Sequence, residues 1–440
     1  MYPTRSLASF AMLAALAVVS FAVAASTYDA TPENYRDLIR QLRAGDTLLL
    51  AAGEYRDGLP LHDLAGEPDR PITISGPAHA PLATFIARPQ HNTVSIVDSH
   101  HVVLTNLVLD GRDVPVDAVK SEGQSRFAHH ITLENLVIVR HGNNQQTVGI
   151  STKCPAWNWI IRGNTIVGAG TGMYLGDSDG SAPFIAGVIE RNLIVDTIGY
   201  NLQIKHQNPR PAIAGMPAEA SATLIRHNVF ANANGGSPAA PRPSVLVGHF
   251  PTEGAGVDDR YVVYGNFFYR NRYEALLQGE GNIAVYSNLF VNPHGDAIRI
   301  QPHNDIPKRV DIAYNTIVAE RYGIWVAVNE RSAPYRQSVV AIAVFAGIPF
   351  AGGAQSSNVA GTLANAERHL TWPFAILGGF DRYPRTRWAN GIAASPPNPA
   401  ALPNWDRDFN GRPRQPGSIG AYGDSGANPG WLPTVSLMPE

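Results

Sequence analysis

The chain has one cysteine, Cys154, among 440 residues. No intrachain disulfide can form, so stability must come from packing. Cys154 itself reads as a small residue at a strand end with no chemical role. Charge is also thin: 16% of residues are Asp, Glu, Lys or Arg, lysine is scarce, and the formal net charge is −2. Nothing global therefore draws the chain to nucleic acid, and an acidic ligand must be held by a local patch. Beyond the N-terminus no stretch is apolar enough to span a membrane. What is abundant is glycine, at 41, and proline, at 34. That composition fits a turn-rich all-β protein better than a helical one.

The chain opens MYPTRSLASFAMLAALAVVSFAVAAS. Arg5 gives a basic start, residues 7–23 are small and apolar, and Ala22-Val23-Ala24 is a small-residue cleavage site. Residues 1–24 therefore read as a secretory signal peptide rather than a membrane anchor, and the mature protein is expected to be secreted or periplasmic.

One phrase recurs along the rest: LTNLVL, LENLVI, IRGNTIV, IERNLIV, IRHNVF, VYGNFF, VYSNLF and IAYNTIV. Its asparagines are Asn106, Asn135, Asn164, Asn192, Asn228, Asn266, Asn288 and Asn315, spaced by 29, 29, 28, 36, 38, 22 and 27 residues. This is the coil of a solenoid with insertions of variable length. A second phrase lies between the asparagines: DAVKSE, GISTKC, GMYLGD, NLQIKH, SVLVGH, ALLQGE, AIRIQP and GIWVAV. Its second residue is always apolar (Ala118, Ile150, Met173, Leu202, Val245, Leu276, Ile298, Ile324). Period-two alternation marks a strand with one face inward. Each coil thus carries at least two short strands joined by a turn at Asn, which tolerates left-handed backbone and can stack as a ladder. The expected fold is all-β: a right-handed parallel β-helix, the hand following from the crossover rule. Thr31-Pro32-Glu33-Asn34 starts a short capping helix ended by Gly45, and Thr47–Ala51 begins the first coil. The β-helix is expected over 25–380 and an irregular Pro/Gly/Asn-rich C-terminal cap over 381–440.

Overlaying the second phrase coil by coil builds an outward column: Lys120 and Glu122, Ser151 and Lys153, Tyr174 and Asp177, Gln203, Lys205 and His206, His249, Glu280, Arg299, Gln301 and His303, then Trp325 and Asn329. A plain solvated sheet face is Ser, Thr, Lys and Glu; one rich in His, Lys, Arg, Tyr and Trp points to a binding groove. The longest insertions, 207–222, 232–244 and 250–259, flank Lys205, His206 and His249 and would wall the groove there. A long groove with basic side chains suits an acidic polysaccharide. β-Elimination from a uronate needs a base for the C5 proton, groups that hold the carboxylate, and an acid for the leaving oxygen. Lys205 is the base candidate if Lys153, Arg210 or Arg299 lowers its pKa. His206 and His249 are the acid/base alternatives, and Tyr174 is a further acid. Lys153, Tyr174, Asp177, Gln203, Glu280, Arg299, Gln301, His303 and Trp325 are expected to bind substrate. The plain alternatives are a solvated strand-end lysine and histidines hydrogen-bonded to the loops.

RAGDTLLLAAGEY…PITISGP resembles the N-terminal cap and first coil of the polysaccharide lyase family that contains chondroitinase B and alginate lyases. WDRDFNGRPRQPGSIGAYG resembles a C-terminal tail common in that wider β-helix group, and LQIKHQN resembles the family's L-x-L-R-H-G-N strand, with Lys205 at the position of its catalytic arginine. Where the family has Lys-Ser, bearing its base, this chain has Asp177-Ser178. The family's calcium-holding Glu/Asn set is not matched, so Ca²⁺ is a candidate cofactor only and no metal ligand is named. The resemblance implies a lyase acting on a uronate polymer. Other readings of the same scaffold are a glycoside hydrolase using Asp177 with Asp179 or Glu280, a non-catalytic glycan-binding protein, and an epimerase. No nucleic-acid or membrane partner is expected, and the capped ends suggest a monomer.

Overall fold

The computed structural model describes residues 24–303, 306–388 and 402–439. All but the last residue of the expected signal peptide lies outside them. The strands form three parallel stacks, each strand pairing with its counterparts one coil earlier and one coil later. One stack runs from Thr27–Ala30 to Ala354–Ser356. A second starts at Gly53–Tyr55 and a third at Leu59–His62. These two meet at the long strand Thr316–Val326, which pairs with both Leu289–Asn292 and Ile298–Ile300. The molecule is a parallel β-helix.

Alternation places the apolar side chains inside. Ile150, Met173, Leu202, Val245, Leu277, Ile298 and Ile324 pair in register down the third stack and are fully buried. Each such burial is worth roughly 1.5–3 kcal/mol. In two coils the expected register is off by one: Val119, not Ala118, and Leu277, not Leu276, hold this column. Both phrases offer two adjacent apolar residues, and the pairing with neighbouring coils chooses between them.

The asparagines divide into two kinds. Asn106 and Asn135 take left-handed backbone, with φ of 59° and 54°. In later coils that position belongs to Gly163, Arg191, His227, Gly265, Ser287 and Tyr314, and the repeat Asn follows one residue on. Those six asparagines are fully buried. Asn164, Asn192, Asn228, Asn266 and Asn288 each donate from Nδ2 to the Oδ1 of the next, at 2.9–3.0 Å, and the run ends at Asn315.

At the N-terminal end a short helix, Tyr35–Ile39, buries Tyr35 and Ile39 over the first coils, and the Tyr35 hydroxyl donates to the Gly58 carbonyl at 2.6 Å. The outermost strand is Thr27–Ala30, which pairs with Thr47–Leu50, so the stack begins before the helix rather than after it. The last parallel strand is Val359–Gly361, so the coils end before residue 380; the segment that follows caps them through Ala366 and Leu370, packed with Val318 and Phe345. It then runs back along the flank: Phe380, Tyr383, Phe409 and Tyr422 cover Val229, Phe267 and Leu289, and the Pro439 carbonyl accepts from Arg191.

Candidate active site

The outer face of the third stack carries the candidate residues. Pro60, Ser95, Lys120, Ser151, Tyr174, Gln203, Leu246, Gln278, Arg299 and Trp325 occupy successive coils in one register column. At about 4.8 Å per coil the face is roughly 40 Å long. Two residues further along each strand lies a parallel column. The Lys153 N–H donates to Ser121, the Gly176 N–H to the Thr152 hydroxyl, and the N–H groups of Lys205, Gly248 and Gln301 to Leu175, Ile204 and Gly279. Lys153 and Lys205 are therefore two coils apart with only Gly176 between them. Gly176 has φ +92°, and a Cβ on it would stand 3.3 Å from Lys205 Cβ. The result is a gap between two amines.

A cleft that takes in both lysines is lined by Asp117, Lys120, Gln145, Lys153, Tyr174, Tyr200, Gln203, Lys205 and Arg242, among others. The sequence has only four lysines, and three of them are here. The Lys153 amine lies 3.4 Å from the centre of the Tyr174 ring. Burial pushes its pKa down from 10.5 to about 8; Asp177 and Asp117 oppose the drop, while Lys120 and Lys205 add to it. The ring face also favours the ammonium, but burial wins. Tyr174 is pushed the other way, chiefly by burial, and its hydroxyl is 2.9 Å from the Ser178 hydroxyl. Asp117 is raised by burial, against Lys120, whose amine is 3.7 Å away, and the Val148 N–H it accepts. Lys153, expected as a binding residue, is thus the lysine tuned toward neutrality.

His206 and His249 meet as expected: their rings stack with centres 5.4 Å apart. Burial, then Lys205 and His249, lower the His206 pKa, which disfavours its protonated form. His249 donates from Nδ1 to the Phe250 carbonyl at 2.7 Å, and its backbone N–H donates to the Glu280 carboxylate. Glu280 is 1% exposed and holds the backbone at His249. Gln278, Glu280, Gln301 and His303 line the continuation of the cleft beyond His206. Arg299 is ion-paired with Asp296 and lies 4.7 Å over the Trp325 ring, three coils past Gln203, and so belongs to a separate part of the groove from Lys205. Arg210 is not in the groove at all. It is buried, pairs with Asp259 and donates to the Pro217 and Glu219 carbonyls, tying down the 207–222 insertion.

Asp177 and Asp179 form turns: Asp177 Oδ1 accepts the Ser178 N–H at 2.7 Å and Asp179 Oδ1 the Ser181 N–H at 2.8 Å. Asp177 and Glu280 are three coils apart, about 14 Å at the coil spacing, too far for an inverting carboxylate pair at ~6.5–9.5 Å. Sequence reasoning missed Tyr200, Arg242 and Gln145. Tyr200 precedes the NLQIKH strand. Arg242 lies near the end of the second insertion, 5.8 Å over the Tyr200 ring. Gln145 bridges the opposite wall to the Ala240 carbonyl at 3.1 Å. Arg140-His141-Gly142 repeats the Arg-His-Gly order of the family strand, but these side chains lie elsewhere, with His141 bonded to the Val116 carbonyl and Arg140 paired with Asp110.

No protein-family model and no curated protein matches the chain. Among solved structures it is similar to a mutant form of AlyGC, a PL6 family alginate lyase, with 15% identity, a TM-score of 0.51, and coverage of 94% of this chain and 59% of that one. The chain therefore spans less than two thirds of that lyase. Weaker likenesses are to the PL6 family polysaccharide lyase Pedsa3628 from Pseudopedobacter saltans (13% identity, TM-score 0.45, 77% and 93% covered) and to the A-module of the Azotobacter vinelandii mannuronan C-5 epimerase AlgE4 (13%, 0.40, 73% and 88%). The likeness is one of fold: a parallel β-helix, a scaffold that polysaccharide lyases use.

Proposed function

We propose that the protein is an exported polysaccharide lyase that cleaves a uronate-containing polymer by β-elimination in the Lys153–Lys205 gap. The observation that carries this reading is the half-buried Lys153 amine, with a pKa of about 8, in the middle of a long polar groove. Its neutral form takes the C5 proton. Lys120, Lys205 and Arg242 surround the gap and hold the carboxylate, whose charge grows as that proton leaves. Tyr174, whose raised pKa keeps it protonated, gives its hydroxyl proton to the glycosidic O4 as the C4–O4 bond breaks and the C4–C5 double bond forms. His206 and His249 bind the chain on the side of the later coils.

The donors around the gap do not fit Ca²⁺. They are amines, a guanidinium, a phenol and amides, and the one lining carboxylate, Asp117, is engaged by Lys120 and Val148; Ca²⁺ wants several oxygen ligands, carboxylates among them. No step is assigned to a metal. Export is supported by the N-terminal 24 residues, and no helix of the described residues is long and apolar enough to cross a membrane.

The test is ultraviolet absorbance of unsaturated uronate from residues 25–440 over alginate, pectate, hyaluronan, dermatan, heparan and glucuronans. A signal that Lys153→Met abolishes supports the assignment. Silence on every polymer refutes the lyase reading; reducing-sugar release would then indicate hydrolysis, and altered uronate stereochemistry by NMR would indicate epimerisation.

A further inference from the structure

A second cluster lies on a different face, the outer side of the first stack. In the sequence it appears as two His-His doublets, Ser99-His100-His101 and Ala128-His129-His130, one coil apart. Adjacent residues of a strand normally point to opposite faces. Here His101 and His130 both have φ of 52°. The register pairs His129 with His100 and Ile131 with Val102, stepping over the two left-handed residues. The same bulge in consecutive coils thus brings all four imidazoles to one side.

The rings form a compact quartet. His100 stacks on His129 with centres 4.8 Å apart, and His101 on His130 at 4.2 Å. Within each doublet the rings are nearly perpendicular and the Nδ1 atoms approach to 2.9 Å and 2.8 Å. All four residues are half-buried. One neighbouring coil places Ala65 and Gly66 beside them; the other supplies Trp157, stacked on His129 at 4.4 Å, and Asn158, bonded to His130 Nε2 at 3.0 Å.

We propose that this quartet is a binding site for a divalent transition metal of the class that prefers imidazole, Zn²⁺, Cu²⁺ or Ni²⁺. Ligand atoms of His100, His101 and His129 lie within 4.8 Å of one another. Nitrogens at 2.0–2.1 Å from a shared ion sit about 3–4 Å apart, so small rotations of the rings complete the site. Each short Nδ1 pair holds two lone-pair positions around a single proton, an arrangement an ion can replace. His130 supports the site from the side: its Nε2 accepts from Asn158 Nδ2, which leaves its proton on Nδ1, toward His129 Nδ1. Trp157 and Phe127, whose rings lie 4.4 Å and 5.3 Å from His129, keep the site partly dry. The cluster shares no residue with the groove, so the assignment stands apart from the lyase reading.

The test uses untagged residues 25–440, stripped with chelator and titrated with Zn²⁺ and Cu²⁺ by calorimetry, with metal content measured after dialysis. One ion per chain is expected. Affinity should fall at least tenfold in His129→Gln and stay unchanged in the double variant His206→Gln/His249→Gln, which removes the chain's other histidine stack. Cu²⁺ bound to the unmodified protein should show nitrogen hyperfine splitting from several imidazoles, a readout that needs no variant to fold. Absence of stoichiometric binding, or binding that survives His100→Asn/His129→Gln in protein whose circular dichroism is unchanged, overturns the proposal.

Discussion

Removing the Lys153 amine should make the protein more stable and less active at once. The fall from 10.5 to about 8 corresponds to about 3.4 kcal/mol, at ~1.36 kcal/mol per pH unit. Lys153 is only half-buried, and solvent screening reduces that figure; roughly 1–2 kcal/mol is the expected gain for Lys153→Met at pH 7. The sign follows from proton counts. Between about pH 8 and 10.5 the unfolded chain holds the Lys153 proton and the folded chain does not, so native stability rises with pH across that window. Below pH 8 the penalty is fully present. The advantage of Lys153→Met should therefore be constant up to about pH 8 and fade as the pH climbs toward 10.5. Urea denaturation of both proteins at pH 7 and pH 10 reads this directly. Lyase activity should drop about 10²–10⁴-fold in the variant, the usual contribution of a general base. In the unmodified enzyme kcat/KM should rise about tenfold per pH unit below 8 and then level off. A variant less stable than its parent at pH 7, or an advantage that does not shrink with pH, would refute the reasoning.

Asn228→Ala should cost about 3 kcal/mol by urea denaturation, because it removes the Oδ1 that accepts from both the buried backbone N–H and the side-chain amide of Asn192, and takes from Asn266 Oδ1 one of its two donors. Arg242→Ala should lower kcat as well as raise KM for the polymer, since this guanidinium holds a carboxylate whose charge grows in the transition state; a higher KM with kcat unchanged would count against that role. Tyr174→Phe should lower kcat while steady-state glycan binding persists. Activity should survive excess chelator, and its loss with restoration by Ca²⁺ would show that the groove takes a cation the donor set does not predict.

The β-helix was legible because its signals are periodic. The Asn phrase and the apolar alternation recur once per coil, and each coil faces the same packing constraint. What the period did not fix was the register where two apolar residues adjoin, as at Ala118-Val119 and Leu276-Leu277. It also did not show that arginine, histidine and tyrosine would occupy left-handed turns at positions 191, 227 and 314; the ladder on either side holds them there against a local cost of roughly 1–2 kcal/mol. The groove face was legible as a column of polar residues. The tuning of Lys153 was not, because it depends on burial among neighbouring coils and then on the carboxylates and amines those coils bring beside it. Arg210 and Arg299 misled for the same reason: their carboxylate partners, Asp259 and Asp296, decide where they point. The flank-covering tail has no period at all, and its aromatic residues find their places only against a surface that the coils have already made.

The Asn ladder separates two kinds of change that a protein can accept. Its hydrogen bonds join each coil to the next at one fixed point, whatever length of chain intervenes. Asn192 to Asn228 and Asn228 to Asn266 span the longest intervals in the repeat, yet their amide contacts are as short as those across the shortest, 2.9 Å against 3.0 Å for Asn266 to Asn288. Those long intervals are where the groove walls are built. Wall loops can therefore be lengthened, shortened or exchanged without disturbing the stacking beneath them, so this scaffold can change what it grips while keeping how it folds.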